Sequence, residues 1–465
     1  MYGCQQNRVK SNSEIIPVLE HICSTANNLT NCGLYLARQQ WFEQNKIVGK
    51  YDLEKALKQQ VNFKALHSQC AQQVLRSVAE SFKSFQGLRK AFFKGEISNH
   101  PKLPNYRDKG GMAVISYPKQ ALKLKDGQIR IPLGKTIKIW FGLGEFFVPF
   151  PSNLEWERIK ELRILPRNRE FYVEWVYKRP EVNTAVKSTE ALGIDPGLDN
   201  WLTCVSTIGE SFIVDGRKVK SLNQNYNRRV SSLKEGKRKG YWDFELARIT
   251  EKRNRQIRDA VNKAAKMVIN YCLNKDIGII VFGWNKGQRQ GINIGHQNNQ
   301  HFVQIPTAKL KNRIQQLAEE NRIEFVETEE SYTSKASFLD RDLLPKFGEK
   351  PRNAVPRSCG NRIPAGSAPE RWQPSGKRVT RGCYQDSKGR IVNADANAAA
   401  NIFRKVEIQL GLVLAQVNRA ALTLPTRLYI WHSKKKSFAT RFLRGAVCGI
   451  YFRTLKAPSR CEATS

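Results

Sequence analysis

Leu192-Gly193-Ile194-Asp195-Pro196-Gly197 decides how this chain is read. A short apolar run ends in a carboxylate, and Pro-Gly then breaks the strand. Asp195 therefore falls at the carboxyl end of a strand, the edge on which open α/β sheets collect ligands. The next run, Leu198 to Ser206 (LDNWLTCVS), again has β character, so a hairpin is expected. Taken alone, the segment favours the plainer reading, a turn aspartate that bonds its own backbone. What lies around it shifts that balance.

The chain is 465 residues long, with 78 Lys and Arg against 41 Asp and Glu, a formal net charge of +37. An excess this large predicts a polyanionic partner. Because it is spread along the whole chain, nucleic acid is favoured over a membrane surface, which would concentrate it on one amphipathic helix or tail. No run of eighteen apolar residues occurs, so no transmembrane helix is expected. The N-terminus lacks the apolar core of a signal peptide, and a cytoplasmic, nucleoid-associated location follows as the expectation. The ten cysteines contain no Cys-x-x-Cys pair, so they read as reduced thiols and not as a zinc site.

Working outward, residues 13 to about 95 carry helical periodicity, for example Val74, Leu75, Val78, Ala79, Phe82 and Phe85. From 101 to 178 the pattern turns β, with short strands such as Ile129–Pro132, Ile137–Trp140 and Phe171–Tyr177, and a small barrel or strongly bent sheet is expected. A long basic helix is expected from Val219 to Asn274. It carries Arg228, Arg229, Lys237, Arg238, Lys252, Arg253 and Arg255, the candidate phosphate contacts. A buried-type strand (277–282), a helix (305–321) and a further strand (323–326) repeat the order of a mixed α/β sheet. Residues 336–390 read as an irregular insertion, a helix opens near Asn393, its N-cap, and runs to about Leu412, and 413–465 reads as a weakly patterned basic tail.

Three acidic candidates sit at element ends: Asp195, the group Glu327, Glu329 and Glu330, and Asp395. Two-metal phosphodiester cleavage needs several carboxylates around paired ions, and oxygen donors suit Mg²⁺ or Mn²⁺. The alanines flanking Asp395 (394, 396, 398 and 399) would let its helix pack closely on a sheet. The plainer alternative for Asp395 is a first-turn aspartate favoured by the helix dipole.

The order LGIDPG, basic helical insert, strand, helix, YTSKAS (332–337) and NADANAAANI (393–402) resembles the TnpB (OrfB) family of transposon-encoded RNA-guided nucleases, relatives of type V CRISPR effectors. The resemblance spans roughly residues 10 to 410. It implies an α/β fold: an RNase H-like (RuvC) nuclease core with an N-terminal helical recognition lobe and a β-barrel wedge domain. The implied division is a helical lobe with the start of the wedge barrel at 1–110, the wedge at 111–190, the first part of the core at 191–335, a target-binding insertion at 336–390, the last core helix at 391–412 and a basic tail at 413–465. It also implies a guide RNA and a double-stranded DNA target as partners, no membrane, and Asp195, Glu330 and Asp395 as catalytic metal ligands.

Two departures stand out. The family's middle glutamate belongs at the end of the strand before the polar loop, but here that strand ends Phe282-Gly283-Trp284. A relocated carboxylate is expected from the neighbouring strand, Glu330 first, then Glu329, then Glu327. The family's zinc ribbon is also expected to be lost, since only Cys359 and Cys383 remain in its place. The insertion is still basic, with 13 Lys and Arg against 5 Asp and Glu over 331–390. Met1 to Gln6 reads as beginning inside a strand, which suggests a truncated or misassigned start. The expected function is a Mg²⁺-dependent DNA endonuclease. A nuclease-dead RNA-guided repressor and a DNA-strand-joining transposase are the alternatives.

Overall fold

The computed structural model describes residues 2–9, 14–180, 189–285, 305–345 and 373–431. The chain divides into two compact units, Met1–Glu181 with Trp242–Glu251, and Val182–Tyr241 with Lys252–Ser465.

The first unit joins a group of helices to two antiparallel sheets. Helices α1 (Ile16–Gln44), α2 (Lys50–Leu57), α3 (Val61–Ala65) and α4 (Ser68–Phe93) bury the predicted stripes, including Leu19, Ile22, Val74, Val78 and Phe82. Each such side chain contributes roughly 1.5–3 kcal/mol of apolar burial. Strands β1 (Tyr2–Arg8), β2 (Ile115–Pro118), β6 (Ile159–Arg167) and β7 (Glu170–Lys178) form one sheet in the order β1-β7-β6-β2. Strands β3 (Lys123–Lys125), β4 (Gln128–Pro132) and β5 (Glu145–Pro149) form another. Among the described residues both sheets are open, and the expected barrel is not seen as a closed one. The expected strand at 137–140 is instead part of helix α5 (Lys135–Phe141), bracketed by Gly134 and by Gly142 in the left-handed conformation. Ile137 alone of its apolar residues is buried, while Ile139 and Trp140 face solvent.

The second unit is a six-stranded mixed sheet. Its strands are β8 (Ala191–Pro196), β9 (Asn200–Ser206), β10 (Ser211–Asp215), β11 (Ile279–Gly283), β12 (Glu324–Thr328) and β16 (Thr426–Leu428), in the order β12-β11-β8-β9-β10-β16. Strands β8, β9 and β10 form an antiparallel meander, and β11 and β12 join β8 in parallel. Side-chain alternation splits the sheet's faces. Leu192 and Ile194 pack with residues of α7 (Phe244–Asn274) and α8 (Thr307–Glu320), whereas Ala191 packs with α9 (Ala394–Arg404). Gly193 lies on the α9 face, where an added Cβ would sit 2.8 Å from the Ala399 carbonyl. Only glycine on the strand and alanines on the helix permit so close a crossing.

Three element boundaries differ from the sequence reading. The basic stretch is two helices, α6 (Arg217–Lys234) and α7, because Gly236 and Gly240 adopt left-handed conformations between them. Within the insertion, β13 (Lys377–Thr380), β14 (Cys383–Gln385) and β15 (Ile391–Asn393) make a small antiparallel sheet that runs into the N-cap of α9. The helix expected to reach Leu412 stops at Arg404, followed by a short α10 (Glu407–Leu410). The tail contributes α11 (Arg419–Thr423) and β16, which pairs in parallel with β10.

Candidate metal centre

Alternation along β8 puts Asp195 on the same face as Gly193, the face covered by α9. Asp395 opens that helix at its first turn, with the Asn393 side chain accepting from the Asp395 and Ala396 amides, both at 3.0 Å. The register pairs Ile194 with Phe282, so Gly283 lies beside Asp195 one step further along. Its missing side chain is filled from elsewhere. A Cβ at Gly283 would stand 2.9 Å from Glu330 Cγ and 2.5 Å from Ile402 Cδ1. Glu330 thus covers the spot where a carboxylate on residue 283 would project.

Glu330 reaches there because β12 has already ended at Thr328, which releases it from strand alternation. Its amide donates to Asn285 Oδ1 at 2.9 Å, and Tyr332, with φ of 66°, turns the chain immediately afterwards. The other two acids go elsewhere. Glu327 pairs with Phe282 in register, on the α8 face, and forms an ion pair with Lys311 of that helix. Glu329 pairs with Lys405 at 2.7 Å.

Asp195, Glu330 and Asp395 are all half-buried. Burial pushes the Asp195 carboxyl well above the usual carboxylate range, the charges of Glu330 and Asp395 push it further, and Arg378 offsets part of the rise. Two further carboxylates therefore act on Asp195 in one place, a donor set suited to a hard divalent cation. Among the described residues, no three acidic, His or Cys side chains yet lie close enough to hold a metal ion as they stand. Positive charge from the protein occupies part of the site: Arg378 Nη2 pairs with Asp395 Oδ1 at 3.1 Å, and Arg381 Nη2 pairs with Asp199 Oδ2 at 3.1 Å. Both arginines belong to the β13–β14 hairpin region.

Sequence reasoning missed Arg378, Asn200, Asn397 and Asn401. Asn397 and Asn401 on α9 donate to the Ala336 and Thr333 carbonyls and so anchor the YTSKAS loop. The repeated Asn spacing inside DANAAANI was the available signal, because i and i+4 share a helix face. Of the basic candidates, Arg228, Arg229, Lys237, Arg238 and Lys252 are exposed. Arg253 turns inward: its Nε donates to Asn223 Oδ1 at 2.8 Å and its guanidinium lies over Tyr226. Arg255 is half-buried. The cysteines among the described residues are free thiols; Cys359 lies outside them.

Residues 174–288 match the family model OrfB_IS605, described as "Probable transposase". The resemblance to OrfB proteins is thereby borne out across a segment that carries β8 to β11 and Asp195. No curated protein matches the chain by sequence. Among solved structures, a Cas12f1–sgRNA–target DNA complex aligns with TM-score 0.30 and 14% identity, covering 86% of this chain and 98% of that chain. A CRISPR–Cas12f ternary complex aligns with TM-score 0.31 and 13% identity, covering 84% and 81%. No helix among the described residues is long and apolar enough to cross a membrane.

Proposed function

We propose that the protein is an RNA-guided, Mg²⁺- or Mn²⁺-dependent DNA endonuclease of the OrfB type, with an RNase H-like core. The observation that carries this reading is the convergence of Asp195, Glu330 and Asp395 on one edge of one sheet, with Asp195 pushed up by both partners. The strand order, an antiparallel meander flanked by two parallel strands on its first member, supports the RNase H-like assignment. Asp195, Glu330 and Asp395 would hold the cations. Divalent ions there would supply charge to activate water and to neutralise the phosphate at the leaving oxygen.

The chain's own residues supply the rest. Asn285 fixes the Glu330 backbone, Gly193 and the α9 alanines set the distance between strand and helix, and Asn397 and Asn401 hold the loop after Glu330. Arg378 must leave Asp395 Oδ1 for that oxygen to face a cation. The exposed cations of α6, the 235–243 turn and α7 suit phosphate contacts of the guide or target. The helices and sheets of the first unit would serve as the recognition and wedge regions that hold the guide RNA.

Cleavage of a plasmid library by the purified protein with guide RNA and Mg²⁺ tests this directly. Guide-dependent cutting that Asp195→Asn abolishes supports the reading. Tight guide-dependent binding with no cutting would replace it with the nuclease-dead repressor, the reading favoured by the absence of a carboxylate at Gly283 and by the Arg378–Asp395 pair. Strand joining without a guide would favour a transposase, as the family's description has it.

A further inference from the structure

The tail strand β16 ends in a hydrogen-bond chain that leads back to Asp395. Arg427 lies opposite Ile213 in the β10–β16 pairing. Its Nη1 donates to Asp215 Oδ2 and to Asn200 Oδ1, each at 2.9 Å. Asp215 is buried and also accepts from Arg217, through Nε at 2.8 Å and the backbone amide at 3.0 Å. A carboxylate gripped in this way fixes the Arg427 guanidinium in turn. Asn200, on β9, donates from Nδ2 to Asp395 Oδ2 at 2.7 Å.

The orientation of the Asn200 amide follows from this chain. A guanidinium carries only donors and a carboxylate only acceptors. With Arg427 on one side and Asp395 on the other, only one amide orientation makes two hydrogen bonds; the flipped one sets donor against donor and acceptor against acceptor. Asp395 consequently spends Oδ2 on Asn200 and turns Oδ1 outward, the oxygen that Arg378 engages.

We propose that Arg427 and Asn200 are positioning residues for the metal site: Arg427 sets the polarity of the Asn200 amide, and Asn200 holds Asp395 Oδ2 so that Oδ1 is the oxygen a cation would take in place of Arg378. This rests on the reading of Asp395 as a metal ligand. Neither residue touches the cation or the substrate. The strand β16, drawn from a stretch with weak sequence pattern, becomes part of the machinery that aims Asp395.

The test is Mn²⁺ binding to the full-length protein, read from the free-Mn²⁺ paramagnetic resonance signal, for Asp395→Asn, Asn200→Ala, Arg427→Met, Arg427→Lys and the double variant N200A/R427M. Removing a partner of this kind typically costs about 10-fold or more in metal affinity. We expect that loss in N200A and R427M, partial recovery in R427K, and no further loss in the double variant, since Arg427 acts through Asn200. Wild-type Mn²⁺ affinity in N200A and R427M, beside lost binding in D395N, would overturn the inference alone. Independent, multiplying losses in the double variant would also overturn it, because they would show Arg427 acting by another route. Unchanged binding in D395N would instead sink the metal-site reading on which it rests. If R427M fails to fold, N200A and R427K still decide the matter.

Discussion

The two edges of the six-stranded sheet treat their acids in opposite ways. At the edge formed by the carboxyl ends of β8, β11 and β12, Glu330 and Asp395 lie near enough for their charges to act on Asp195, which is pushed well up by burial and by these two neighbours. At the other edge, in the turn between β9 and β10, Glu210 is bonded to the Tyr271 hydroxyl at 3.0 Å and to Lys275 at 2.6 Å. Those groups line an open cavity of about 450 Å³ with Phe212, Ala421 and Leu424. One edge gathers like charge, which costs stability and invites a cation; at the other, Glu210 is matched to two donors, as a structural acid is. Clustering of carboxylates beside one another, not acidity itself, distinguishes a site from a scaffold.

The largest effect should appear where that contrast is greatest. Asp195→Asn, Glu330→Gln and Asp395→Asn should each lower guide-dependent cleavage by at least about 10²-fold, the scale of losing one charge-stabilising group at a reacting phosphate. Glu327→Gln, Glu329→Gln and Glu210→Gln should stay within a few-fold of the parent. Initial rates on a linear target decide this, and loss of cleavage in Glu329→Gln with full activity in Glu330→Gln would reverse the assignment.

Next comes the hairpin that carries Arg378. Asp340 accepts from the Ser375 hydroxyl at 2.9 Å and from the Ser387 amide and hydroxyl at 2.8 and 2.7 Å. Burial raises its carboxyl, but these bonds and one from Ser337 outweigh it and hold the group at about 2. A folded value below the ordinary one of about 3.9 gives stability that is present above that value and lost as pH falls towards 2. Urea unfolding at pH 7 and pH 3 should show about half of this loss as the difference between the parent and Asp340→Asn.

A smaller effect has opposite signs at the two edges. With Asp195 raised, the folded protein holds that proton more tightly than the unfolded chain. Metal-free protein therefore loses stability as pH rises through the raised value, and Asp195→Asn should raise the melting temperature in EDTA at pH 8. Glu210→Gln should lower it slightly, through a stability loss of about 0.5 kcal/mol, as befits an exposed pair. A lower melting temperature for Asp195→Asn would mean that the carboxylates are not in conflict.

The smallest expected effect is none: we propose that the hairpin is held by the Asp340 bonds and not by zinc, so a zinc-selective chelator should leave the melting temperature unchanged. Chelator-induced unfolding would restore a zinc site.

Much of the core was legible because it depends on local order. The strand that delivers Asp195, the cap at Asn393 and the alanines of α9 follow from apolar runs, a short polar cap and small side chains. The reach of Glu330 over Gly283 was legible as an absence paired with a nearby surplus of acid, and no further. The ranking of Glu330 before Glu329 and Glu327 was read from the sequence, but where each of the three goes followed only from the register of β12 against β11 and the point at which β12 stops. Ile137–Trp140 misled because four residues alternate on paper as a strand while two glycines close a helix around them.

By itself, the sequence determined the polyanion-seeking charge, the mixed α/β core and the two aspartates at element ends, since these rest on composition and on periods of two and 3.6 residues. Only the tertiary structure decided that Glu330 covers Gly283, that Arg378 sits on Asp395, and that Arg427 reaches the same carboxylate through Asn200 across 227 positions of sequence. Such contacts join side chains whose separation along the chain carries no period, and only the crossing of strands and helix brings them within hydrogen-bond range.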